Sequence, residues 1–127
     1  MTAIDVAEAR RLHDALRDFF IGHGGARDFR ALQRVLALCQ SASNAVNDTY
    51  CLEKLRLVGE YAAEMLSQRD HAKWGRDSAS GAEFLRQQVL NALELYASRL
   101  YSLEALRASH LTEEQLPWAR RSGIAPT

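Results

Sequence analysis

The sequence has few cysteines, few prolines and few β-branched residues. Its 127 residues include two cysteines, two prolines and only 12 valines, isoleucines and threonines. Two cysteines cannot build a disulfide scaffold, and the shortage of β-branched residues argues against a sheet protein. Alanine and leucine, which favour helix, supply 38 residues. The composition and length therefore predict one all-α domain.

The chain also lacks an excess of either charge. Lysine and arginine total 16, as do aspartate and glutamate, and the signs stay balanced along the sequence. Because nucleic-acid-binding proteins usually carry a basic excess, the sequence disfavours a nucleic-acid partner. The first ten residues lack the apolar segment of a secretory signal, and no uncharged run approaches the ~18 apolar residues of a membrane span. We therefore expect a cytoplasmic protein with no membrane partner.

Apolar residues recur with the 3.6-residue period of an α-helix in four segments. The pattern predicts helices over about 4–21, from 29 to a point between Ser41 and Val46, over 48–69, and over 82–109. Glycines after the first helix and a polar segment over 70–81 separate them. We predict an antiparallel four-helix bundle over 1–110. A short helical turn capped by Thr112 and a flexible tail would follow over 111–127.

The predicted last helix is apolar around more than half of its circumference. A surface helix of a monomer needs only a stripe of roughly 100°. The third helix carries a second apolar strip at heptad-like spacing, away from its main face. The surplus indicates either two neighbours within one subunit or a seam with a partner, because large exposed apolar patches mark interfaces. The predicted seam residues are Tyr50, Leu57, Tyr61, Leu95 and Leu106.

Signatures of metal or nucleophilic chemistry are missing. No two histidines stand three or four residues apart, and the motifs HExxH, ExxH and GxSxG do not occur. We therefore predict no metal, no cofactor and no catalytic residues from these patterns. Cys39 and Cys51 fall on inward helix faces and are interpreted as two buried small hydrophobes, with a redox pair as the alternative.

Arg99 falls on the apolar arc of the last helix. An arginine in such a place must be paired. The sequence favours a salt bridge to an acid on a neighbouring helix. The alternative is that Arg99 binds an acidic ligand inside the bundle.

Arg17 and His23 are separated by five residues, and residues 55–63 read LRLVGEYAA. These two segments resemble the HEPN ribonucleases, small and often dimeric helical bundles with an Arg-x(4–6)-His motif. The resemblance implies that Arg17 and His23 act on an RNA backbone across a dimer interface. In that family the motif normally lies near the last helices, whereas here it ends the first.

The sequence thus predicts a non-enzymatic, homodimeric interaction module: an adaptor, chaperone or regulatory subunit that binds itself or another protein. Two alternatives stay open. One is a HEPN-like ribonuclease that uses Arg17 and His23, and the other is a helical bundle that binds a small molecule.

Overall fold

A computed structural model describes the backbone of residues 4–113 and the side chains of residues 4–107. Its four helices are α1 (Val6–Gly22), α2 (Phe29–Ala45), α3 (Thr49–Ser67) and α4 (Ser78–Glu113), with a short 3₁₀ turn at Ala72–Trp74. Each helix packs on the next, and α4 returns to α1, while the diagonal pairs stay apart. Short connections make sequence neighbours antiparallel. The predicted all-α antiparallel four-helix bundle is confirmed.

An aspartate begins each of the first three helices. The carboxylates of Asp5, Asp28 and Asp48 accept hydrogen bonds from backbone N–H groups three residues on, at 3.0, 3.0 and 3.1 Å. Each such cap satisfies an otherwise open N–H group and contributes about 1 kcal/mol. The backbone N–H groups of Asp5 and Asp28 also donate to the carbonyls of Ala45 and Leu66. These two bonds tie the start of one helix to the end of its neighbour.

One apolar face of α4 lies at the centre of the core. Its six residues are all buried: Leu85, Val89, Leu93, Tyr96, Leu100 and Leu103. They pack between α3 on one side and α1 on the other. The helix is therefore central within its own subunit, and four of its large apolar side chains still remain exposed: Phe84, Leu95, Tyr101 and Leu106.

The helix α4 begins earlier than the sequence predicted. It starts at Ser78, because Asp77 and Ser80 cap each other: the backbone N–H of Ser80 donates to Asp77 Oδ1 at 2.8 Å, and that of Asp77 donates to Ser80 Oγ at 3.1 Å. Gly81 then continues the helix within the segment predicted as a loop. Glycine fits there because a Cβ atom would lie 1.7 Å from the carbonyl oxygen of His71.

The helix α4 also ends later than predicted. It continues through Glu113, so the backbone of Thr112 lies within the helix and not in a separate turn after it. With 36 residues it is about 54 Å long at 1.5 Å per residue. The remainder of the predicted tail, residues 114–127, lies outside the described residues.

Candidate functional site

The side of the bundle where α3 lies beside α4 carries four of the eight large apolar residues that are exposed in the described part of the chain. Tyr50, Leu95 and Leu106 are 42%, 45% and 58% exposed, whereas Leu57 and Tyr61 are half-buried and pack against the core. Helical spacing places three more residues on the same surface: Lys54 and Glu64, which are charged, on α3, and Phe84 on α4. We call it the α3/α4 face: Tyr50, Lys54, Leu57, Tyr61 and Glu64 on α3, and Phe84, Leu95 and Leu106 on α4.

Phe84 extends this face beyond the predicted seam. Its ring stacks on Trp74, with ring centroids 6.0 Å apart and planes 9° from parallel. Leu95 follows Phe84 by eleven positions, and Leu106 follows Leu95 by eleven more. Since eleven residues make about three helical turns, the three side chains form one line along α4.

Arg99 joins α4 to the start of α3. Its Nε and Nη2 atoms donate to the two carboxylate oxygens of Asp48 at 3.1 and 2.9 Å. These hydrogen bonds are the main reason why the pKa of Asp48 falls to about 2. The same carboxylate caps α3 by accepting from the backbone N–H of Cys51. Arg99 is thus already paired with an acid at the start of the neighbouring helix, which supports a structural role over ligand binding.

A groove of about 310 Å³ lies on the other side of α4. We call it the α1/α4 groove, lined by His13, Arg17 and Ile21 of α1 and by Leu90, Leu93, Glu94 and Ala97 of α4. The side chain of His13 is 12% exposed, and its Nδ1 atom lies 3.0 Å from Asp14 Oδ1. Its ring stacks on the buried Tyr96, with centroids 6.2 Å apart. The groove therefore has a fixed aromatic floor and two charged residues in its walls.

The structure gives Arg17 and His23 different surroundings. Arg17 lines the α1/α4 groove, one turn after His13. His23 closes the connection between α1 and α2: its Nδ1 accepts from the backbone N–H of Gly25 at 2.9 Å, and its Nε2 lies 3.3 Å from Asp28 Oδ2. With Nδ1 as acceptor, the neutral ring carries its hydrogen on Nε2 and donates it to Asp28. Because both nitrogens are engaged, this geometry supports a structural role for His23.

The two cysteines are free and buried. Burial raises the pKa of the Cys39 and Cys51 thiols to about 12. The thiolate is the nucleophilic form of cysteine, so these thiols are protonated and inert at neutral pH. This environment supports their interpretation as small hydrophobic residues.

A second groove, of about 510 Å³, lies between α2 and α3. Gly59 keeps it open, since a Cβ atom there would lie 3.3 Å from Leu36 Cδ2. Arg56 stands at its rim and is held by ion pairs to Glu53 and Glu60. This groove offers apolar surface and a cation that is already neutralised.

The part of the chain that the structure describes contains neither a cluster of metal-ligand residues nor a helix able to span a membrane. Within it, no three or more histidine, cysteine, aspartate or glutamate residues are grouped as metal ligands would be. None of its helices combines the length and the apolar character that a membrane crossing requires.

Comparison with known proteins adds no relative. The chain matches no protein-family model, no curated protein and no solved structure. The α3/α4 face and the α1/α4 groove, with the chemistry of their side chains, are therefore the features that bear on function.

Proposed function

We propose that the protein is a non-enzymatic interaction module, an adaptor, chaperone or regulatory subunit, which pairs with a second copy of itself through the α3/α4 face. The observation that carries this proposal is the apolar line on α4. Phe84, Leu95 and Leu106 remain 41–58% exposed even though the core face of the same helix is fully buried. A contiguous apolar surface rimmed by polar residues is typical of a protein interaction site.

The α3 part of the face is complementary to itself, which favours a second copy as the partner. In a two-fold dimer the same patch meets itself, so residues placed symmetrically about the axis face one another. About an axis level with residue 59, Leu57 comes level with the partner's Tyr61, and Lys54 comes level with the partner's Glu64. At 100° per residue, the two members of each pair lie on opposite sides of the strip's midline, so their side chains would reach each other across that midline.

The charged residues of the face are available for such pairing. Lys54 Nζ lies 4.8 Å from the centre of the Tyr50 ring, and Glu64 lies 3.8 Å from Lys73 Nζ. Exposed contacts of this kind contribute at most about 1 kcal/mol each, so they exchange readily for contacts across a dimer. Burying the apolar centre supplies most of the association free energy, at about 25 cal/mol per Å². The rim charges then select the antiparallel orientation.

A pair of leucine variants tests the proposal. Leu95 on the α3/α4 face and Leu36 on α2 are both 45% exposed, so Leu36→Glu is a matched control for Leu95→Glu. We expect the wild-type protein to be a dimer by light scattering after size exclusion. Leu95→Glu should shift it to the monomer, and Leu36→Glu should leave the dimer intact. A monomeric wild type, or a dimer that only Leu36→Glu disrupts, would show that the proposed face is wrong.

A further inference from the structure

The α1/α4 groove places an arginine and a glutamate at one level on opposite walls. Two contacts set the register of these antiparallel helices: Arg10 pairs with Glu104 at 2.6 Å, and Arg86 Nε donates to the carbonyl of Phe20 at 2.9 Å. Between these contacts, Arg17 of α1 comes level with Glu94 of α4, because both helices rise 1.5 Å per residue.

Arg17 differs from the other arginines along this seam. Arg10 pairs with Glu104, Arg86 donates to two backbone carbonyls at the end of α1, and Arg107 donates to the carbonyl of Ile4. Within the described residues, neither Arg17 nor Glu94 forms an ion pair. Two opposite charges thus face each other across the groove, and no ion pair joins them.

The space between the two charges is small and partly apolar. Ile21, Leu90, Leu93 and Ala97 line it, and the ring of His13 forms part of its floor. Asp14 holds Nδ1 of His13, which leaves Nε2 for a ligand. At about 310 Å³ the groove is at the lower end of small-molecule sites, which range from roughly 300 to 1,000 Å³. The volume therefore suits a ligand about as large as an amino acid.

These features point to a ligand with both charges. A simple anion would be attracted by Arg17 and repelled by Glu94, and a simple cation would meet the reverse. We propose that the α1/α4 groove binds a small zwitterion with an aliphatic body, such as a free amino acid. Its carboxylate would accept paired hydrogen bonds from the Arg17 guanidinium. Its ammonium would face Glu94, and its aliphatic part would lie on Leu90, Leu93 and Ala97.

Three related probes separate the contributions of the two charges. Leucine carries both charges, N-acetyl-leucine lacks the ammonium, and leucine amide lacks the carboxylate. In titrations followed by amide chemical shifts, we expect leucine to move the resonances of the groove residues. Each derivative should bind at least about tenfold more weakly, since it loses the charged hydrogen bonds to either Arg17 or Glu94. Equal binding of all three probes, or no shifts with any of them, would overturn the proposal.

Charge-neutral variants locate the site. Arg17→Gln and Glu94→Gln should each weaken leucine binding at least about tenfold. Arg34→Gln, which removes an exposed arginine from α2, should leave binding unchanged. Thermal unfolding of each variant checks that the fold is retained. If Arg17 and Glu94 simply close on each other as an ion pair, leucine will not bind the wild-type protein, and the proposal fails. The dimer proposal is not affected by either result, because it rests on the other side of α4.

Discussion

The two sides of α4, one packed against α3 and the other against α1, differ in the side chains that they present. Against α3, the helix presents an apolar core flanked by the bidentate pair of Arg99 and Asp48, and it leaves aromatic and aliphatic side chains in solvent. Against α1, three arginines connect the two helices. Arg10 forms an ion pair across the contact, and Arg86 and Arg107 donate hydrogen bonds to backbone carbonyls on the other side. The apolar side therefore suits a protein partner. The charged side leaves a groove where a small polar ligand can be recognised.

Two of the three helix connections also differ, in how tightly they are packed. Between α3 and α4, His71 is buried, its Nε2–H donates to the carbonyl of Met65 at 2.6 Å, and its backbone N–H donates to Ser78 Oγ. Between α1 and α2, His23 clamps a more open loop in which a Cβ on Gly24 would meet nothing within 4 Å. Both connections use a histidine as a clamp. The difference is one of degree: a Cβ on Gly25 between α1 and α2 would lie 3.2 Å from Ala82 Cβ, whereas a Cβ on Gly81 would lie 1.7 Å from the carbonyl oxygen of His71.

The largest expected effect comes from a glycine in that tight connection. Gly81→Ala would place a Cβ against the carbonyl of His71, and the backbone must move to admit it. We expect the free energy of unfolding to fall by about 3 kcal/mol, the upper part of the usual range for overpacking. Urea denaturation measures this, with Gly24→Ala as the control. Equal stabilities for the two variants would mean that the α3–α4 connection is not tightly packed.

The second-largest loss of stability is expected when the ion pair between Asp48 and Arg99 is removed. Asp48→Ala removes both the helix cap and the pair with Arg99, for an expected loss of about 2 kcal/mol. Asp48→Asn keeps a capping side chain and should cost less.

The same pair makes stability depend on pH. Since the pKa of Asp48 is lowered from 3.8 to about 2 by folding, its contribution is complete above the unfolded value. It is lost as the pH falls through that window. Denaturation curves of wild type and Asp48→Asn should therefore converge between pH 4 and pH 2. A constant difference over that range would contradict the assigned role of Asp48.

The smallest effects are expected on the α1 side. Arg86 is largely buried and donates to the carbonyls of Phe20 and His23, so Arg86→Ala should cost about 1.5 kcal/mol. Arg10 and Glu104 form an exposed pair, and Arg10→Ala should cost less than about 0.5 kcal/mol. Thermal denaturation of the two variants in parallel tests this order. If Arg10→Ala lost more stability than Arg86→Ala, the exposed ion pair, and not the buried hydrogen bonds of Arg86, would be the main link between α1 and α4.

Periodicity predicts the fold, because the buried face of α4 repeats at 3.6 residues, and aspartates lie at the starts of the first three helices. It failed at Ser78, where the helix forms across serines and Gly81. Those residues have low helix propensity, and the fit against His71 that requires the glycine is a tertiary contact. No pattern along the chain contains that information.

The candidate site shows the same limit. The sequence indicated that Arg99 needs an acid, but it could not select Asp48 among the acids available. It grouped Arg17 with His23 by distance along the chain. In the structure, Arg17 shares a groove with His13, one turn earlier, and with Glu94 of another helix. The register between two helices decides such neighbours, and it depends on the packing of both.

A charge exchange on the α3/α4 face tests the central claim most directly. Lys54→Glu and Glu64→Lys each place like charges opposite one another across the proposed two-fold axis, whereas the double variant restores opposite charges. Analytical ultracentrifugation should show a dimer for the wild-type protein, weakened association for each single variant and recovery in the double variant. A wild-type monomer, or a double variant that associates no better than the single ones, would contradict the claim that this face is a two-fold interface.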